Sequence, residues 1–187
     1  MNKTTSLAPE VQQMLDRQAI YECEARICRA ADRYDQEGFL AGFHLDATID
    51  VGELCGSPAE LWAWLINQNR KAGNPTTFHY ILNHICDLDG DTAHAETYWL
   101  FVQRGSDGSN YSGGGRYADR LEKRNGMWKI VMRVNMIEWS GAIQGLPMPF
   151  DAPDLRANGG PSHSKDDPIY RRPLVNKRPK RVPVVAP

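Results

Sequence analysis

The sequence predicts an α+β domain in which a curled antiparallel sheet wraps helices that precede it in the chain. Three observations point there: two amphipathic stretches in the first 73 residues, four strand-length runs between residues 76 and 141, and tight-turn signals between those runs. From Pro9 to about Tyr34, Leu15, Ala19, Cys23, Ile27 and Ala31 recur every four residues, with Ile20, Ala30 and Tyr34 widening the stripe and Glu and Arg opposite. That spacing is a long amphipathic helix, and Pro9 suits its first turn, where a missing N–H costs nothing. "FLAGFHLDATIDVGE" begins as a short helix and ends as a strand with alternating Ala47, Ile49 and Val51. "SPAELWAWLINQNRKAG" reads as a further helix: Ser57 is the N-cap, Pro58 the first position, Glu60 completes a capping box, and Gly73 ends it.

The strand runs are "TTFHYILNHICDLD", "TAHAETYWLFVQRG", "YSGGGRYADRLEKR" and "MWKIVMRVNMIEWSG". Gly90-Asp91, Ser106-Asp107-Gly108 and the hairpin signal Asn125-Gly126 join them. Beyond Gly145 lie nine of the twelve prolines and no period of either helix or strand, so residues 1–144 read as one domain and residues 145–187 as an extended basic arm. Residues 165–187 hold seven Lys and Arg against two Asp, which leaves −6 on the rest of a chain whose net charge is −1. An acidic body argues against nucleic acid as a partner. No apolar run is long enough for a membrane helix and the start lacks the apolar centre of a leader, so a cytoplasmic protein is expected. Cys23, Cys28, Cys55 and Cys86 form no C-x-x-C pair and are expected as buried reduced thiols.

Chemistry is suggested by "FHYILNH". Side chains of an unbroken strand alternate, so His79 and His84, five apart, are expected on opposite faces, with Phe78, Tyr80, Leu82 and His84 on one and His79, Ile81, Asn83 and Ile85 on the other. Such a pair cannot share a metal, and no metal site is expected. "AADRYDQEG" places Asp32 and Asp35 at the end of the first helix, where a carboxylate can accept the Nδ1–H of a histidine and fix its tautomer. From the pattern alone, Asp32 serves equally well as a solvated helix-end residue.

The helix end "AADRYDQEGFLAGFHLDATID", the strand "FHYILNHICDLDGDTAHAETYW" and the closing "GGGRYADRLEKRNGMWKIVMRV" together resemble the SnoaL-like branch of the nuclear transport factor 2 superfamily, over about residues 10–140. The resemblance extends to cofactor-independent eliminating enzymes: scytalone dehydratase, bile-acid 7α-dehydratase, hexachlorocyclohexane dehydrochlorinase and the diarylpropane lyases that act on lignin dimers. It implies an NTF2-like cone with an apolar pocket, no cofactor, and an aspartate at the end of the first helix supporting a histidine on the first meander strand. Asp32 and His79 take those positions. Where two of these enzymes have a tyrosine or lysine five residues before the aspartate, this chain has Ile27, so departure of a leaving group needs another donor.

Tyr34, Tyr98, Tyr117, Arg116, Arg133 and Asn135 are the candidates, with Phe43 among the aromatic residues that would wall a pocket. Arg116 follows "SGGG", where missing side chains would let substrate approach; its alternative is a cross-strand ion pair with a residue such as Glu96. The expected activity is a lyase on a small hydrophobic aromatic or polycyclic compound. The alternatives are a ketosteroid-isomerase-like or polyketide-cyclase-like enzyme, a binding module, and the small subunit of a ring-hydroxylating dioxygenase. A homodimer or homotrimer is expected, because the sheet's outer face needs cover.

Overall fold

A computed structural model describes residues 7–73, 75–105, 107–145, 157–160 and 162–180. It divides into two compact units, Met1–Gly145 and Leu146–Pro187. The first holds α1 (Pro9–Asp32), α2 (Gln36–Leu40), β1 (Phe43–Asp50), β2 (Cys55–Gly56), α3 (Pro58–Lys71), β3 (Thr76–Asp89), β4 (Thr92–Arg104), β5 (Asn110–Arg124) and β6 (Met127–Ala142). One six-stranded sheet runs β2-β1-β6-β5-β4-β3, antiparallel throughout except where β1 lies parallel to β6. Helices packed on this mostly antiparallel sheet make an NTF2-like α+β cone. Of the second unit, the described residues include a single 3₁₀ turn, Pro168–Tyr170, capped by the Asp167 carboxylate. Asn74, Ser106 and, beyond Gly145, residues 146–156, 161 and 181–187 lie outside the described residues. Among the described residues, no helix is long and apolar enough to cross a membrane.

Local signals shape the elements. Ser57 and Glu60 form the expected capping box, with the Ser57 N–H donating to Glu60 Oε2 at 2.7 Å. Gly73, just past α3, takes a φ of +74°, and the Asn125-Gly126 turn has both residues left-handed, at +54° and +77°, as a two-residue hairpin of matching twist requires. Asp35 caps α2 through Gly38 N–H at 3.1 Å, and Asp32 meets the sheet at His79.

Tertiary packing corrects three expectations. The face of α1 that meets the core carries Asp16, Ile20, Cys23, Glu24, Ile27, Cys28 and Ala31, while Leu15 and Ala19 are exposed. The stripe starts one residue later than the apolar pattern suggests, and Glu24 goes inside because a buried arginine faces it. Cys55 is exposed on short β2; the other three thiols are buried. The third correction is a bulge in β3. Ile81 pairs with Trp99 and His84 with Thr97, so Leu82 and Asn83 together face the single residue between. His79, Ile81 and His84 therefore share the inner face, and Phe78, Tyr80 and Leu82 point outward, exposed. The opposite-face expectation fails because an extra residue resets the alternation.

In the glycine run of β5, Gly114 and Gly115 serve packing rather than substrate approach, while Gly113 lines a cavity on the inner face of the sheet. A Cβ on Gly114 would meet the Trp139 indole at 2.4 Å, and one on Gly115 would stand 2.0 Å from the Met136 carbonyl oxygen and 3.0 Å from the Trp99 ring. Two indoles thus lie on strand backbone, one on each face of the sheet. Gly115→Ala should cost about 1–3 kcal/mol by overpacking, whereas Gly141→Ala, with open space at that Cβ position, should be near neutral; thermal unfolding of both variants checks this.

Candidate active site

Between α3 and the inner face of β3–β6 lies a cavity with two adjoining lobes, about 300 Å³ and about 160 Å³. His79, Tyr117 and Asn135 line both, which puts the histidine where the lobes meet. The larger lobe is walled by rings, Trp64, Trp99, Phe101 and Tyr111, with Trp99 stacked on Tyr117 at 5.8 Å between centroids and His79 tilted against Phe101 at 4.8 Å. Ile27, Cys28, Phe39 and Leu61 form much of the smaller one.

Asp32, the last residue of α1, places both carboxylate oxygens on His79. Oδ1 lies 2.6 Å from ring Nδ1, and Oδ2 accepts the His79 backbone N–H at 2.9 Å. The side chains are 13% and 18% exposed, so the pair is sheltered but not sealed. A carboxylate on Nδ1 selects the tautomer with the proton there, leaving the Nε2 lone pair to act as a base, and it stabilises the imidazolium formed when Nε2 takes a proton. The bond to the backbone N–H fixes the strand as well as the ring.

The other expected site residues divide. Tyr117, Arg133 and Asn135 line the cavity. Tyr98 and Arg116 face the outer side of the sheet. Arg116 bridges Glu96 and Glu138 at 2.5 and 2.7 Å, with Tyr98 beneath its guanidinium, so the cross-strand ion pair is the arrangement found. Their position parity explains it: inner Tyr117 pairs with Thr97, which leaves residues 116 and 98 outside. Phe43 is buried against Phe39 in the core, and Phe39 reaches the lobe in its place. Tyr34 donates its hydroxyl to the Pro75 carbonyl at 3.4 Å and lines neither lobe. His84 also lies clear of both lobes; its Nδ1 is 2.8 Å from Thr97 Oγ1 and its ring stands edge-on to Tyr21.

Behind the smaller lobe is a buried cluster that the sequence reading lacked. Arg133 donates through Nε and Nη2 to Asp119, both at 2.8 Å, and Nη2 also contacts Glu24 Oε2. Its guanidinium carbon lies 4.0 Å from the centre of the Tyr117 ring. One cation faces two fully buried carboxyl groups, and desolvation outweighs its attraction for the second. Burial accordingly pushes the Glu24 carboxyl up to about 8. Burial also raises the Tyr117 phenol well above its ordinary value, so it stays a proton donor at neutral pH. Cys28, at the lobe wall, is pushed by burial to about 12 and is a neutral thiol. Among the described residues, no three His, Cys, Asp or Glu side chains gather to hold a metal ion.

An α+β cone with an inward histidine held by an aspartate at the first helix end places the protein in the NTF2-like superfamily. The chain belongs to its SnoaL-like domain family, whose profile matches residues 12–134. No curated protein sequence matches it. Similar solved structures include a hexachlorocyclohexane dehydrochlorinase, LinA type 2, at 16% identity and a TM-score of 0.64, covering 78% of this chain and 99% of that one. A candidate scytalone dehydratase from Novosphingobium aromaticivorans matches at 17% identity and 0.62, covering 75% and 97%. A Mycobacterium tuberculosis protein of unknown function matches at 23% and 0.62, covering 71% and 78%.

The cluster makes a pH prediction with a definite sign. Glu24 holds its proton to about 8 when folded and to 4.5 as an ordinary carboxyl. The folded state therefore binds the extra proton between those values, and stability falls as pH rises through that window. Glu24→Gln removes this loss. Denaturant unfolding should show the variant gaining on the wild type from about pH 5 to about pH 8; a constant difference would contradict the protonated Glu24.

Proposed function

We propose that the protein is a lyase needing no organic cofactor, acting on a small aromatic compound by general acid–base elimination. The observation that carries this is the Asp32–His79 pair, with the imidazole at the meeting point of two lobes. His79 Nε2 takes a proton from carbon or from a hydroxyl of the bound substrate. The electron pair left behind expels water, hydroxide or another leaving group, and Asp32 steadies the positive ring. Ile27 reaches the smaller lobe as an alkyl group, so the donor to the leaving group comes from the sheet. Tyr117 suits that role, because burial keeps its O–H protonated and the Arg133 guanidinium lies on its ring.

The likeness to a dehydrochlorinase and a candidate scytalone dehydratase supports elimination as the reaction class. Within it, a lignin-derived diarylpropane that loses hydroxide and then formaldehyde is a fitting substrate: one ring would take the larger lobe and the reacting carbon would lie at His79. Release of water or formaldehyde separates this reading from an isomerase or cyclase, which would use the same base and return the proton.

Screening aromatic alcohols with mass detection of products should reveal turnover. His79→Ala should then lower kcat about 10²–10⁴-fold with little change in melting temperature, and Asp32→Asn should lower it too, since an amide no longer stabilises the imidazolium. His84→Ala should leave kcat nearly intact and reduce stability, because it loses only the Thr97 and Tyr21 contacts. Full activity in His79→Ala would remove the proposed base.

A further inference from the structure

Besides its rings, the larger lobe carries four carboxamides: Gln68 and Asn69 from α3, Gln103 from β4 and Asn135 from β6. None makes a hydrogen bond to another described residue, and Asn135 Oδ1 is a buried atom without a partner. Asn69 is 9% exposed, at a site on the inner side of α3 in line with Leu61 and Leu65. A leucine would continue that stripe, whereas this amide has no hydrogen-bond partner among the described residues to justify its place there. Trp99 Nε1 and Thr77 Oγ1, in the same walls, are likewise buried and unpartnered. Among the described lining residues of this lobe there is no Lys, Arg, Asp or Glu.

We propose that the larger lobe recognises a neutral aromatic ring whose oxygen substituents both donate and accept hydrogen bonds, with Asn69, Gln68 and Gln103 as the residues that set this specificity. The chemistry of the wall selects the class. Flat rings on several sides accept a planar ligand. A carboxamide offers an N–H and a carbonyl together, so it matches phenol, alkoxy and ketone oxygens alike. A carboxylate or phosphate would be desolvated here without a cation to meet it, and a plain hydrocarbon would leave the amides unpaired. This deepens the lyase reading by stating what holds the non-reacting ring, and it rests on the same cavity.

The test is binding of unreactive probes followed by ¹H–¹⁵N NMR of the full chain, where side-chain NH₂ signals report on the carboxamides directly. The probes are 4-hydroxyacetophenone, its hydrocarbon counterpart 4-ethyltoluene, and the anion 4-hydroxybenzoate. The neutral oxygenated ring should bind roughly tenfold or more tightly than either of the others, moving the NH₂ signals of Asn69, Gln68 and Gln103. Asn69→Leu should erase the preference over 4-ethyltoluene. Gln103→Leu, on a half-buried strand position, should weaken it and serves if the Asn69 variant fails to fold. Equal or tighter binding of the hydrocarbon or the anion overturns the proposal, as does a preference unchanged in the folded variants. Failure of the lyase reading shows elsewhere, as absence of product, and would leave these shifts in place.

Discussion

Asp32 commits both oxygens to one residue of β3, and much of the first unit's arrangement depends on that grip. One bond goes to main chain and so fixes where the end of α1 stands against the strand. The other goes to the imidazole and fixes which way the ring turns and which nitrogen carries the proton. A carboxylate this sheltered needs such partners, since charge removed from water must be met by hydrogen bonds. The left-handed backbone at Tyr34 and the Asp35 cap of α2 then turn the chain sharply away, so that the helix ends where the dyad requires it.

The second organising interaction is the division of one guanidinium between two carboxyl groups. Arg133 on β6, Asp119 on β5 and Glu24 on α1 tie helix to sheet behind the smaller lobe. With Glu24 protonated the cluster is neutral, which is how three ionisable groups can be buried together. The wall it presents to the lobe is the Tyr117 ring and the edge of a compensated cation. The larger lobe is built on the opposite plan, with aromatic faces and uncharged amides. His79 stands between two environments of different polarity, and a substrate that spans them meets the base at its middle.

The sequence reveals these features unevenly, and physical causes separate the two groups. Strand limits, the capping box and the Asn125-Gly126 hairpin are written in neighbouring residues, so the runs beginning at Thr76, Thr92 and Met127 are also where strands begin. The dyad was legible through resemblance, while the pattern alone left Asp32 undecided. What escaped depends on bulges and on distant partners. Asp119 meets Arg133 only because the pairing of β5 with β6 shifts between Arg120 and Leu121; an unbroken hairpin register would set Met132 opposite Asp119. Glu24 is buried because that arginine faces it across the core, a fact absent from any local period. Asn69 could have been found from its spacing to Leu61 and Leu65, but amides at such positions are usually read as surface.

The bulge at Leu82 and Asn83 divides β3 into two reading frames. The first half, with His79, belongs to the cavity; the second, with His84, Cys86 and Leu88, belongs to the packing under α1. Losing one residue at this joint would turn the second set outward and leave the dyad where it is. Length changes there, in the course of divergence, would therefore remodel the scaffold without touching the base, so chemistry and architecture can drift independently along a single strand.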